Sequence, residues 1–130
     1  MFETEEQKER IILVAVATAD GDDTEQSLDE LEELGQTAGA VTVAKVIQNR
    51  EKVHAGTYVG KGKIEEIKNL AISLDADAVV CDDELSPAQY HNLQDALEIK
   101  VIDRTVMILD IFAKRASTSE GKLQVELAQL

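Results

Sequence analysis

The sequence predicts an α/β fold: a four-stranded, mainly parallel sheet with helices on both faces. Short apolar runs rich in Val and Ile alternate along the chain with segments of helical periodicity about three turns long. Apolar runs of this kind are typical of strands buried on both faces, and their alternation with helices indicates right-handed βαβ units. The 130 residues, 44% hydrophobic and 30% charged, are ordinary for one folded domain. We expect the strand order 2-1-3-4, followed by the start of a helical, coiled-coil-like segment.

The first strand is predicted at Arg10–Thr18 (RIILVAVAT), an almost unbroken apolar run. A turn-forming DGDD cluster follows, and then a helix begins. Ser27 and Glu30 have the spacing of a capping box, although Asp23 or Thr24 would cap this helix one turn earlier. Its apolar positions recur at helical spacing, at Leu28, Leu31 and Leu34.

A second strand and a second helix flank a long polar loop. Gly39 is expected to end the first helix, and Ala40–Ile47 (AVTVAKVI) is the second strand. The loop has no periodicity and leads into a glycine-rich turn at 60–62, where the second helix begins. The apolar positions of this helix are Ile64, Ile67, Ala71 and Leu74. Ala78–Cys81 (AVVC) is the third strand.

The third helix has the clearest start in the chain. Ser86 fits the N-cap, Pro87 fits the first helical position, and Gln89 is placed to close a capping box. Leu85 and Tyr90 have the spacing of a hydrophobic staple across that cap. The apolar face of the helix is predicted to contain Tyr90, Leu93 and Leu97.

The last predicted helix follows a short strand at Ile99–Ile102. Its buried stripe is predicted at Val106, Leu109, Phe112, Ala113 and Ala116. After a polar break at 117–119, a second stripe begins with no helix-ending signal, at Leu123, Leu127 and Leu130. We therefore expect residues 1–116 to form the α/β domain, with 1–9 frayed, and 117–130 to start a truncated helical segment. The open stripe also makes self-association between copies a hypothesis.

Gly56–Lys63 (GTYVGKGK) is the segment that most resembles a phosphate-binding loop. It is not a Walker A motif, because the second glycine comes one residue early and Gly62 stands where Ser or Thr is required. Lys61 and Lys63 nevertheless lie beside a helix N-terminus, where backbone amides and the helix dipole favour anions. Two interpretations are open. The segment is either a glycine-permitted turn with two solvated lysines or a contact with phosphate or the RNA backbone.

Three carboxylates follow the third strand, where parallel sheets place their ligands. The carboxylates of Asp82-Asp83-Glu84 are of the ligand type that magnesium prefers. Acidic residues before a helix are also favoured by its dipole, so a solvated loop is the preferred interpretation. Cys81 has no histidine close in sequence and is interpreted as a small core residue. No catalytic, cofactor-binding or metal-binding residue is assigned. A stand-alone domain that binds a nucleotide or small ligand at the strand ends near Gly60 and Asp82 is the alternative function.

The net charge of −13 is unevenly distributed. Residues 1–33 hold twelve acidic and two basic groups, whereas residues 100–122 hold five basic and three acidic groups. Composition therefore does not exclude an RNA partner. No apolar run is long enough to span a bilayer, no secretory signal begins the chain, and there is one cysteine, so a cytoplasmic location is expected.

Three stretches together resemble the N-terminal domain of the HflX-type GTPases: Thr57–Glu66 (TYVGKGKIEE), Asp82–Gln89 (DDELSPAQ) and Lys100–Leu130. The resemblance implies an α/β domain, then a coiled-coil-like helical segment, then a GTP-binding domain with its own P-loop. That GTPase domain is absent from this chain, so no residue here is assigned to GTP hydrolysis. GTP and Mg²⁺ are implied for the parent protein and not for this fragment.

The resemblance also implies a partner, the large ribosomal subunit, and a role in splitting or rescuing ribosomes with GTP as the switch. Candidates for contact with ribosomal RNA phosphates are Lys61, Lys63, Arg104, Lys114, Arg115 and Lys122. For Arg104, Lys114 and Arg115, capping or solvating their own helix is an equally open interpretation.

Overall fold

The central strand, β1 (Glu9–Ala17), has six consecutive residues buried, Ile11 to Val16. The structure, a computed structural model, describes residues 8–18 and 23–117, with side chains up to residue 113. Because successive side chains of a strand point to opposite faces, a run buried throughout requires cover on both sides of the sheet. The apolar run therefore determines the layered architecture.

Three further strands pair with β1 directly or indirectly, and all pairs are parallel. They are β2 (Ala40–Asn49), β3 (Ala78–Cys81) and β4 (Lys100–Asp103). The strand order is β2-β1-β3-β4, which confirms the predicted order and direction. The helices are α1 (Thr24–Thr37), α2 (Lys61–Leu74), α3 (Pro87–Leu97) and α4 (Arg104–Ser117). The predicted α/β class is confirmed. No helix in the described part of the chain is long and apolar enough to cross a membrane.

Two apolar cores lie on the two faces of the sheet. On one face, alternate residues of β1 (Ile12, Val14 and Val16) pack with buried residues of α2 and α3. On the other face, Ile11, Leu13 and Ala15 pack with α1 and α4. Cys81 is buried in the first core, as predicted for a small core residue.

The start of α3 confirms the cap predicted from sequence. The Ser86 hydroxyl accepts a hydrogen bond from the Gln89 backbone N–H, and the Gln89 side chain accepts one from the Ser86 N–H. Pro87 occupies the first helical position, where no amide hydrogen bond is lost. Leu85, the proposed staple residue, is buried.

Of the two starts that the sequence left open for α1, the capping box at Ser27 and Glu30 is wrong and the earlier start at Asp23 is the one observed. The helix begins one turn earlier, at Thr24, with Asp23 in the N-cap position and no side-chain cap. Ser27 therefore lies inside the helix, and its hydroxyl donates to the Asp82 carboxylate, 2.7 Å away. The spacing of residues in the local sequence is compatible with an N-cap at two positions. The contact of Ser27 with Asp82, 55 positions away in the chain, is not visible in that spacing.

The buried stripe predicted for the last helix is also wrong. Met107 and Ile111 are the buried residues of α4, whereas Val106 is 38% exposed and Leu109 and Phe112 are each 59% exposed. At the first turn of α4 the buried Asp103 carboxylate accepts a hydrogen bond from the Val106 N–H, and Met107 and Ile111 pack with buried residues of α1 and the sheet. Ala116 is among the side chains that the structure does not describe, and Leu123, Leu127 and Leu130 lie outside the described residues.

We predict that Leu13→Ala lowers the free energy of unfolding by about 2–5 kcal/mol, because Leu13 is fully buried in the central strand. The matched control is Ile72→Ala on α2, where the side chain is 72% exposed and the expected change is within about 0.5 kcal/mol. Urea unfolding followed by circular dichroism measures both. Equal effects of the two substitutions would contradict the central position of β1.

Candidate functional site

The carboxyl ends of the four parallel strands meet at one edge of the sheet, the edge where α/β proteins bind their ligands. The segments there include the loop between β2 and α2, the loop between β3 and α3, and the junction of β4 with α4. The sequence-predicted candidates Lys61, Asp82 and Arg104 belong to these three segments. The arrangement therefore joins residues that are far apart in the chain.

The segment 48–63, which we name the basic loop, contains Arg50, Lys52, Lys61 and Lys63 against a single acid, Glu51. Lys61 is exposed and forms no ion pair with any described residue, whereas Lys63 contacts Glu66 at 3.0 Å. Surface pairs of this kind contribute about 0–1 kcal/mol, so Lys63 stays available to a stronger anion. Arg50 and Lys52 were not among the sequence candidates, because the search followed a glycine motif; a charge count along the loop would have found them.

Arg50 and Gly60 bring the two ends of the basic loop together. The Arg50 N–H donates to the Ala17 carbonyl at 3.0 Å, which continues the pairing beyond β2. A Cβ built on Gly60 would lie 2.9 Å from an Nη atom of Arg50, and the Gly60 N–H donates to the Gln48 side chain at 2.8 Å. Glycine at position 60 thus allows Arg50 to lie beside the start of α2.

Tyr58 anchors the basic loop and was missed by the sequence analysis. It is 1% exposed, and its hydroxyl donates to the Asp83 carboxylate at 2.7 Å. Its φ of 68° is unusual for a bulky residue, a conformation that costs on the order of 1–3 kcal/mol. Two backbone hydrogen bonds with His54, at 2.9 and 3.0 Å, hold it there. Burial, followed by the Asp83 interaction, raises the pKa of Tyr58 far above its ordinary value.

The same loop is attached to α3 through His54 and Gly56. Gln89 donates to the His54 carbonyl and Asn92 donates to the Gly56 carbonyl, both at 2.9 Å. The His54 Nδ1 atom accepts from the N–H groups of Gly56 and Thr57, at 3.1 and 3.2 Å. These bonds require Nδ1 to be unprotonated, so the neutral ring carries its proton on Nε2.

Arg104 is occupied by contacts within the chain. Its Nη2 donates to Asp82 at 2.7 Å and to the carbonyl and hydroxyl oxygens of Ser27 at 2.8 and 2.9 Å. The Arg104 side chain is 25% exposed and that of Asp82 only 9%. This network joins α1, β3 and α4, and it favours a role for Arg104 in fixing its own helix. The side chains of Lys114 and Arg115, and the whole of Lys122, lie outside the described residues.

The Asp82-Asp83-Glu84 run is divided between the two faces. Asp82 binds Arg104 and Ser27, and Asp83 binds Tyr58. Within the described ranges no group of three or more His, Cys, Asp or Glu residues is placed to hold a metal ion. A crevice of about 220 Å³ lies at the ends of β1 and β3, and its lining includes the carboxylates of Asp23, Asp82 and Asp83. These carboxylates repel nucleotide phosphates. Beside them, burial raises the pKa of the Cys81 thiol, which keeps it protonated.

A second concavity, which we name the α2–α3 groove, has a volume of about 560 Å³. It lies between the first turn of α2, the second half of α3 and the turn at 54–57. Its lining residues are His54, Thr57, Lys61, Gly62, Ile64, Glu65 and Ala96. The groove therefore adjoins the basic loop on the face of the sheet away from Arg104.

Comparison with known proteins identifies relatives over most of the chain. Residues 25–113 match the model of the family described as GTP-binding GTPase N-terminal. GTPase HflX of Lacrimispora saccharolytica is 67% identical over 130 residues, which cover 100% of this chain and 31% of that protein. GTPase HflX of Escherichia coli (strain K12) is 44% identical over 130 residues, covering 100% of this chain and 30% of the relative. The chain thus spans about a third of the length of these relatives.

Solved structures share the fold. The crystal structure of SsGBP with GDP aligns with a TM-score of 0.62 at 23% identity, covering 93% of this chain and 34% of that one. A GTP-binding protein of Sulfolobus solfataricus in complex with GDP aligns with a TM-score of 0.58 at 21% identity, covering 91% and 35%. These alignments support the α/β architecture described above.

We predict that Tyr58→Phe lowers the free energy of unfolding by about 1–2 kcal/mol at neutral pH, because the hydrogen bond to Asp83 is lost. The folded-state pKa of Tyr58 is raised, so its contribution is fully present below the unfolded-state pKa near 10 and declines as pH rises above it. The native protein should therefore lose up to about 1.4 kcal/mol per pH unit above pH 10 from this group. Urea unfolding at pH 7 to 11.5 should show a shallower alkaline decline in Tyr58→Phe; identical slopes would contradict the assignment.

We predict that Arg104→Lys lowers the free energy of unfolding by about 2 kcal/mol, because a lysine keeps the charge but cannot reproduce the forked contacts with Asp82 and Ser27. A double-mutant cycle with Asp82→Asn measures the coupling directly. A change within about 0.5 kcal/mol for Arg104→Lys would mean that the guanidinium is free for an external partner.

Proposed function

The chain belongs to the GTP-binding GTPase N-terminal family and is an HflX-type N-terminal domain, and we propose that it binds ribosomal RNA on the large ribosomal subunit for a parent GTPase. In this proposal the domain is non-catalytic and acts in the cytoplasm. GTP hydrolysis by another domain of the parent protein controls affinity during ribosome splitting or rescue. The relatives named HflX are GTPases, and the chain corresponds to about a third of their length, which supports the division of labour.

The observation that carries the RNA proposal is the fixed basic loop. It presents four cationic side chains and one acidic side chain in a chain of net charge −13. Tyr58, His54 and Gly60 hold the loop against the sheet and α3, so its cations are placed before a partner arrives. Lysine and arginine contacts with phosphates supply most sequence-independent affinity for nucleic acids. Preorganisation reduces the entropy lost on binding.

The acidic surface does not oppose this contact directly. The acid-rich helix α1 packs on the sheet face that contains Leu13, whereas α2 packs on the opposite face. The lysine of β2, Lys45, is neutralised by Asp29 and Glu32 of α1 and belongs to that acidic side. At physiological salt, interactions between exposed charges are largely screened beyond about 8 Å. A polyanion at the start of α2 therefore experiences chiefly the basic loop and the two acids of the next turn, Glu65 and Glu66.

The described residues do not fit GTP with magnesium. A P-loop requires a glycine-rich turn that ends in Lys followed by Ser or Thr, and Lys61 is followed by Gly62. The strand-end crevice is lined by carboxylates that already bind Arg104, Ser27 and Tyr58. We therefore place GTP and its metal in the part of the parent protein that this chain does not contain.

We predict that Lys61→Glu and Lys63→Glu each weaken binding to purified large ribosomal subunits on the order of tenfold and together reduce the salt-dependence slope by about 2. Fluorescence anisotropy of the labelled chain at several salt concentrations measures both quantities. Lys8→Glu is the matched control, because it makes the same change in charge next to the amino end of β1, at the opposite edge of the sheet. Equal losses in all three variants would indicate a general charge effect, and unchanged binding would exclude the basic loop.

A further inference from the structure

The α2–α3 groove has the size and chemistry of a site for one flat ring system. Its volume of about 560 Å³ is within the range of small-molecule pockets, which are mostly apolar with a few polar groups. Ile64 and Ala96 supply apolar walls from the two helices, and Thr57 closes one end. Of the phosphate contacts proposed above, Lys61 lines this space, and the apolar interior of the groove is left unused.

Gly62 lines the groove and has no structural reason to be glycine. A Cβ built on it meets no atom within 4 Å, and its φ is outside the left-handed range. Gly62 is the second residue of α2, and neither packing nor backbone conformation requires glycine at this position. Close approach of a ligand to the backbone beside Lys61 is a physical reason for the missing side chain.

The polar groups of the groove differ in charge from one end of the groove to the other. Lys61, at the first turn of α2, has no ion pair among the described residues. Glu65 lies one turn further along the same helix, and the exposed ring of His54 has its proton on Nε2. A phosphate is attracted by Lys61 and repelled by Glu65, whereas a carboxylate accepts hydrogen bonds from the amino and imino groups of a base. A nucleotide would lie with its phosphate at Lys61 and its base edge towards Glu65.

We propose that the α2–α3 groove receives one unpaired base of a single-stranded RNA segment, with the adjacent phosphate on Lys61. This inference rests on the proposed function and adds the form of RNA that is recognised. Bases of a duplex are stacked inside the helix and cannot enter a groove, whereas unstacked bases insert between apolar or aromatic surfaces. In the basic loop, Arg50 and Lys52 add their positive charges to that of Lys61. These charges attract the phosphates on either side of the inserted base.

The experiment compares two RNAs with the 130-residue chain: a twelve-nucleotide single strand of mixed sequence and its blunt duplex. Ala96→Leu fills the groove without changing charge. Gly62→Ala obstructs it while favouring the helix. Ala88→Leu, at an exposed position near the start of the same helix α3, is the matched control. Thermal unfolding of each variant accompanies the anisotropy titrations, and free AMP is added as a competitor.

We expect the single strand to bind about tenfold more tightly than the duplex, the contribution of about one inserted base. Ala96→Leu should remove that preference and leave duplex binding unchanged. Gly62→Ala should weaken single-strand binding several-fold while the melting temperature stays equal or rises, a combination that unfolding cannot produce. Ala88→Leu should change neither affinity.

Three results would overturn the inference. The first is equal binding of the single strand and the duplex, and the second is an unchanged preference for the single strand in Ala96→Leu. Either result would exclude the base site alone and leave phosphate contact by the basic loop intact. Competition by free AMP at the affinity of the strand would make the groove a mononucleotide site. Absence of binding to either RNA and to large ribosomal subunits would instead overturn the proposed function itself.

Discussion

Burial of β1 on both faces is the constraint on which the rest of the structure depends. A strand with six consecutive buried residues must be paired on both sides and covered above and below, because neither its backbone nor its side chains can meet water. The parallel pairs with β2 and β3 meet the first requirement, and the helix pairs α1/α4 and α2/α3 meet the second. The same division places the acidic α1 and the basic start of α2 on opposite faces. Charge segregation is thus a consequence of the way the core is closed.

Polar contacts at the carboxyl edge of the sheet fix the loops and helix starts that the apolar core does not hold. Asp82 and Asp83 continue the alternation of β3: Asp82 faces α1 and α4, where it binds Ser27 and Arg104, and Asp83 faces the basic loop, where it binds Tyr58. Two adjacent carboxylates therefore join four segments of the chain. The buried Asp103 adds a third tie, because it accepts from the N–H groups of Leu85 and Val106. Acidic residues in this loop are explained by these contacts, with no need for a metal ion.

Features encoded locally were predictable from the sequence, and features set by tertiary contact were not. The strand order follows from βαβ connections, and the α3 cap follows from the spacing of Ser86, Pro87 and Gln89. The buried face of α4 was misjudged because the helix has apolar residues on two faces, and tertiary packing with α1 and the sheet places Met107 and Ile111 in the core. Tyr58 was missed for a related reason. The hydroxyl partner of Tyr58, Asp83, lies 25 residues away in another segment, so no short motif signals the contact.

An acidic chain with a small fixed basic loop suits selective contact better than tight general binding. Nonspecific affinity for nucleic acids grows with the number of phosphates that are neutralised, and a net charge of −13 opposes any broad contact with a polyanion. Only a partner that presents its phosphates to the start of α2, and keeps the rest of its backbone away from α1, gains from the arrangement. Affinity from so few contacts is modest and easily shifted, which suits the proposed function, in which a GTPase domain regulates the binding of this domain.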